Sequence, residues 1–148
     1  MTSAAVSSRT ARRGMSRTRT QFVIAADEQA LGALDALLAS LPLCSSGRVF
    51  IEVPDASWIV PLTAPSRMTV TWLARSRGAA LRSPGHALSR AVTAWADEML
   101  CDGAEGTRVE LLAGYLATAD IVDHLIGIHG VSAASIRTPA VYGLPTAC

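Results

Sequence analysis

At 148 residues, 50% of them hydrophobic, the chain is long enough for one domain with its own core, and its small side chains suit helices packed closely on a sheet. The net charge of +1 hides an asymmetry: residues 1–20 carry five arginines and no acid, whereas the remainder carries eight arginines against twelve acids, which excludes a basic face for nucleic acid. All 13 basic residues are arginine, a codon-composition bias rather than a site, and without lysine neither Schiff-base nor P-loop chemistry is available.

Residues 1–20, rich in Ser, Thr, Ala and Arg, have too little apolar surface to offset ordering entropy. They are expected to form a disordered basic tail; a transit peptide or a polyanion contact has similar composition. Gln21 to Ala25 then reads as a short apolar strand. Asp27 caps the following helix, Glu28 suits its first turn, and Leu31, Leu34, Leu38 and Leu41 make one buried stripe before Pro42 stops it. Arg48 to Val53 is a second strand and Met68 to Leu73 a third, separated by an irregular segment holding Pro61 and Pro65. Arg75 to Arg82 is a polar connection, and Ser83-Pro84 signals a helix start. Leu88, Val92, Trp95 and Met99 recur at helical spacing up to Asp102-Gly103. Arg108 to Ala113 is a fourth strand with Gly114-Tyr115 as its exit. Ile121, Val122, Leu125, Ile126 and Ile128 line a last helix ending at His129-Gly130, and Ser135 to Tyr142 reads as a fifth strand. The fold class is therefore α/β: a five-stranded, mostly parallel sheet with helices on both faces, occupying residues 21–148.

In such sheets ligands lie beyond the carboxyl ends of the strands. Four positions there are candidates, each with two readings. The turn Ala26-Asp27-Glu28-Gln29 either caps a helix or offers amides to a ligand; its two acids suit a nicotinamide amide or a ribose better than a pyrophosphate. Glu52 accepts ribose hydroxyls or is a solvated edge residue. Arg75, with Arg77 nearby, holds a phosphate or belongs to a solvated loop. Gly114 permits close ligand approach or is a simple turn. GxGxxG, GxxxxGK[ST] and GxSxG are all absent, and no Ser/His/Asp trio or other catalytic set is suggested by spacing. Cys44, Cys101 and Cys148 are odd in number and far apart, as free thiols in a reducing compartment would be. His124 and His129 are five residues apart and do not share a helix face as i,i+4 ligands would, so no metal site is expected. No run reaches the roughly 20 apolar residues of a bilayer span, and a soluble cytoplasmic protein is expected.

Five segments, FVIAADEQALGAL, RVFIEVPDA, MTVTWLAR, VELLAG and DHLIGIHGVSAASIRTPAVYG, together resemble the C-terminal domain of siderophore-interacting proteins, the flavin-dependent ferric-siderophore reductases related to ferredoxin reductases. They fall in the family's order and cover residues 21–143. The resemblance implies a ferredoxin reductase-like domain that binds NADPH or NADH and an oxidoreductase reaction in which hydride passes to FAD held by a preceding β-barrel, the electrons then reducing siderophore-bound iron. It implies cofactor contacts at Ala26, Asp27, Glu28, Gln29, Glu52, Gly114 and Tyr115, with Arg75 toward phosphate. The family's GDET loop is Ala26-Asp27-Glu28-Gln29 here, the glutamate after its AG is Tyr115, and its GYW ending is Val141-Tyr142-Gly143. A flavin barrel needs on the order of 100 residues, more than the 20-residue tail supplies. FAD is thus expected only through a flavin-binding partner. The alternative is a non-catalytic binding or regulatory module, or a truncated remnant, of the same fold.

Overall fold

A computed structural model describes residues 19–147. The expected tail, apart from Arg19 and Thr20, and Cys148 lie outside the described residues. Strand β1 (Gln21–Asp27) leads through a 3-10 turn (Glu28–Ala30) into helix α1 (Leu31–Ser40), and β2 (Ser46–Val53) and β3 (Arg67–Ala74) follow. A small antiparallel hairpin, β4 (Ser76–Arg77) with β5 (Ala80–Leu81), precedes helix α2 (His86–Met99). Then come β6 (Thr107–Leu112), helix α3 (Tyr115–Gly127) and the two-residue β7 (Ile136–Arg137). The main sheet has the order β3-β2-β1-β6-β7, and every pairing in it is parallel.

Alternation along the strands feeds two cores, because successive side chains leave opposite faces. Ile24, Ala26, Val49, Ile51 and Val53 pack under Leu34 and Leu38 of α1. Val23, Ala25, Phe50, Val109, Leu111 and Ile136 pack under α2 and α3, which supply Leu88, Val92, Trp95, Ile121, Val122 and Leu125. The sheet is thus covered on both sides, as the near-continuous apolar strands require.

Several local expectations are corrected. Arg75 to Arg82 contains the β4–β5 hairpin rather than a plain connection. Helix α2 starts at His86, not at Ser83-Pro84; its N-cap is Gly85, in the left-handed region at φ 87°. Met99, the last residue of α2, and Ile128, the C-cap of α3, are exposed, whereas the neighbouring Leu100 and Leu125 are buried. The fifth strand is two residues long because Pro139, without an N–H, opens a 3-10 turn over Ala140–Tyr142. Ala147 returns to this edge, its N–H donating to the Ile136 carbonyl at 2.9 Å.

Candidate functional site

The strand order reverses beside β1: β2 and β3 lie to one side, β6 and β7 to the other. At that switch point the chain leaves β1 for α1 on one face and β6 for α3 on the other, and a crevice opens between the two exits. Asp27 closes its floor. One carboxylate oxygen accepts the Gln29 N–H at 3.0 Å, capping the 3-10 turn, and the other accepts the Gly114 N–H at 2.8 Å, across 87 residues of sequence. The Asp27–Gly114 bond divides two hollows. One, of about 370 Å³, is lined by Ala30, Leu112, Pro139 and Tyr142. The other, of about 290 Å³, is lined by Glu28, Arg75, Gly85 and the first turn of α3. Amides of a helix's first turn have no intrahelical acceptor, so this lobe presents donors. Tyr142 stands against the first lobe, its hydroxyl donating to the Ala113 carbonyl at 3.0 Å and its ring meeting Tyr115 edge-on at 5.5 Å.

Behind the second lobe, Arg75 joins two carboxylates. Its Nη1 donates to Glu52 at 2.9 Å and to Glu28 at 3.1 Å, and its Nη2 bonds the other Glu28 oxygen. Glu52 is fully buried and also receives the Gly85 N–H at 2.7 Å and the Leu88 N–H at 2.8 Å. A buried carboxylate near the carboxyl end of β2 therefore caps α2, where negative charge also suits the helix dipole.

Burial drives the Asp27 carboxyl upward from its ordinary 3.8, and the Gly114 and Gln29 amides only partly counter it. Glu28 also feels burial as an upward push, but the hydrogen bonds from Arg75 carry it below its ordinary 4.5.

These positions revise the expected contacts. Asp27, Glu28, Gln29, Gly114 and Tyr115 come together at the crevice. The Ala26 side chain is buried in the core under α1. Glu52 is neither a ribose acceptor at the rim nor a solvated edge residue, since both its oxygens are engaged inside the protein. Arg75 is largely buried and bonded to Glu28 and Glu52, yet it also lines the second lobe and keeps N–H donors outside those bonds. The sequence held one clue to this brace: a lone carboxylate inside an apolar, doubly covered strand, one position from an arginine-ended neighbour. Pro84, Leu116 and Ala117, which also line the second lobe, carried no signal of their own. A larger hollow, about 450 Å³, opens near the other end of α1 between Leu38, Leu43 and Pro65, away from the switch point. Asp97, His124 and His129 meet at the far ends of α2 and α3, although sequence spacing had kept the two histidines off one helix face. No helix among the described residues is long and apolar enough to cross a membrane.

Comparison with solved structures gives the same architecture. A siderophore-interacting protein, SipS, from Aeromonas hydrophila superposes with a TM-score of 0.62 at 16% identity, over 83% of this chain and 50% of that one. A siderophore utilization protein from T. fusca gives 0.61 at 29% identity, over 79% of this chain and 42% of that one. The siderophore-interacting protein of Acinetobacter baumannii gives 0.62 at 14% identity, over 84% and 46%. The chain thus spans half or less of the length of the structures it matches. The sequence model of the siderophore-interacting proteins matches residues 19–124, well over half of the chain, and by that match, with the parallel sheet beneath it, the chain belongs to the siderophore-interacting protein family.

Proposed function

We propose that this domain binds NADPH or NADH in the switch-point crevice and presents it to FAD on a separate polypeptide, in support of ferric-siderophore reduction. The observation that carries the reading is the open pair of hollows meeting at Asp27 and Gly114, where the strand order reverses. Their volumes fall at the low end of the roughly 300–1,000 Å³ of small-molecule sites, as expected for one part of a dinucleotide in each. When bound, the nicotinamide supplies the hydride; the chain supplies position. In this proposal Asp27, Gln29 and the Gly114-Tyr115 exit hold the nicotinamide and its ribose. The first turn of α3 offers amides toward the phosphates, and Arg75 with Glu52 keeps the Glu28 turn in place. A cytoplasmic location belongs to the same proposal, since the cofactor is drawn from a reducing pool.

A flavin partner is supported by where apolar side chains are left uncovered. Trp58, Ile59, Leu81, Tyr115, Leu116 and Val141 are exposed, and each lies in a segment that follows the carboxyl end of a strand. A partner seated there would exclude water from the crevice.

One observation favours a second reading, a non-catalytic binding module. The arginine beside the crevice is already paired with two carboxylates, so the acids there outnumber the cations. Titration of the protein with NADPH and NADH, followed by indole fluorescence and thermal shift, separates the two. Saturable binding well below the millimolar range supports the cofactor reading, and its absence supports the second. Oxidation of NAD(P)H on adding a flavin-loaded family barrel and a ferric siderophore tests the reductase step itself.

A further inference from the structure

We propose that Asp97, His124 and His129 form a binding site for one divalent transition-metal ion of the zinc class, a staple between α2 and α3 remote from the crevice. The His124 Nε2 lies 2.7 Å and the His129 Nε2 2.8 Å from the same Asp97 oxygen, Oδ1. All three donor atoms fall within 4.8 Å of one another, and the two rings are tilted by 55° with centroids 5.2 Å apart. Two imidazoles and a carboxylate are a donor set that zinc accepts, with water completing a tetrahedron. Calcium and magnesium prefer oxygen ligands throughout. Metal–donor bonds of about 2.0–2.2 Å in a tetrahedron put neighbouring donors about 3.3 Å apart, so each imidazole nitrogen has to move out from Asp97 by about half an ångström, and the two nitrogens, within 4.8 Å of each other, settle to the same spacing.

The ligands are held by packed elements. Asp97 is in the last turn of α2 and His124 in the last turn of α3, and these helices pack on each other. His129 is brought back by the turn beyond α3: the Gly130 N–H bonds the Ile126 carbonyl at 3.2 Å and the Val131 N–H bonds the Leu125 carbonyl at 3.0 Å, with Gly130 at φ 63°. That turn overrides the five-residue spacing. The His129 side chain is only 9% exposed whereas Asp97 is 56% exposed, which leaves an approach from the carboxylate side. Both crossover helices run opposite to the parallel strands, so their carboxyl ends, with their partial negative charge, converge on the site and favour a cation. The ten residues from Tyr115 to His124 put about 14 Å of helix between the site and the crevice. The ion would therefore fix helices rather than take part in hydride transfer, and the inference does not depend on the function proposed above.

The test uses the full chain, stripped of metal, with Cys44, Cys101 and Cys148 replaced by serine so that no thiolate contributes. Zinc is followed by calorimetry, cobalt by its visible absorption, and imidazole nitrogens by NMR. One ion per chain is expected, with a raised Tm, four-coordinate cobalt bands, and Nε2 shifts at His124 and His129 but not at exposed His86. Asp97→Asn with His129→Gln should weaken zinc binding about 100-fold or more, since even outer-sphere losses cost 10- to 100-fold. His86→Gln should change nothing. No saturable binding, or binding unaltered in the double variant, overturns the proposal. If the double variant does not fold, the imidazole shifts of the otherwise unmodified chain decide: zinc that leaves His124 and His129 unshifted overturns it.

Discussion

At the scale of single residues, Glu52 organises more of the molecule than any group at the crevice. It lies in the apolar stretch of β2, accepts two amides from the start of α2, and meets Arg75 where β3 ends. Arg75→Met would leave that carboxylate buried without its cation, a loss of about 3–5 kcal/mol in urea unfolding. Glu52→Gln keeps the shape but turns an NH2 group toward one of three donors, and about 1–3 kcal/mol is expected. Glu28→Gln should cost less than either, because Arg75 keeps its bond to Glu52. The same variant gives a test in pH. The Glu28 carboxyl, held below its ordinary 4.5, adds stability that is fully present above 4.5 and is lost as pH falls through its lowered value. Asp27 works the other way: held above 3.8, it costs stability as pH rises from 3.8 through its raised value, and acid relieves that cost. The unfolding free energy of the parent minus that of Glu28→Gln should therefore shrink as pH is lowered below 4.5. A difference that stays constant would mean the Arg75 bond does not favour the charged form. The strand-end positions of Glu52 and Arg75 were legible from residue pattern but the direction of their side chains was not, because a side chain turned to the interior and one facing a ligand carry the same residue type.

At the scale of elements, patterns of period two and near four placed every long strand and helix to within a few residues. Leu34 and Leu38 are buried as their spacing requires; β1 and β2, inside the sheet, read as near-continuous apolar runs, whereas β3, at its edge, and β6 alternate. What the pattern missed was set by contacts distant in sequence. Helix α2 takes its cap from Glu52, 33 residues before Gly85, so Ser83-Pro84 offered a local signal that a non-local one supersedes. The β4–β5 hairpin and two-residue β7 are too short to show a period. Gly47 carries another long-range demand. At φ 150° it pairs with Phe22, and an added Cβ would sit 1.9 Å from the Phe22 carbonyl oxygen. Gly47→Ala must push β1 and β2 apart at their first rungs and should destabilise by at least ~1–3 kcal/mol. Gly32, near the start of α1, has nothing within 4 Å of the same atom, and Gly32→Ala should stabilise by about 0.5–1 kcal/mol. Thermal unfolding of the two variants should move in opposite directions; a shared direction would mean that Gly47 has room the backbone does not show.

At the scale of the whole molecule, the two edges of the sheet do different work. The amino-end edge is where α2 and α3 finish and Asp97, His124 and His129 converge. The carboxyl-end edge gathers the crevice and six of the exposed apolar side chains, Trp58, Ile59, Leu81, Tyr115, Leu116 and Val141. An α/β sheet was legible from strand and helix periods that the fold preserves, and the family from segments that resemble its own, which its sequence model matches over residues 19–124. The histidine cluster was not, because it depends on a turn that closes only once α3 has ended. If the carboxyl-end edge receives a flavin-bearing partner, residues beside the crevice but outside its lining should govern docking alone. Trp58 and Leu81 meet that condition: both are exposed, and neither lines a hollow at the switch point. Trp58→Ser with Leu81→Ser should leave Tm and NAD(P)H affinity unchanged. Their loss removes apolar area from the contact at roughly 25 cal/mol per Å², so a several-fold weaker association with the flavin-loaded barrel is expected by light scattering or calorimetry. A matching several-fold rise should appear in the barrel concentration needed for half-maximal NAD(P)H oxidation. Unchanged association with full electron transfer would place the flavin against another surface, whereas lost NAD(P)H binding in the same variant would mean the crevice extends further along the rim than Gly114 and Arg75.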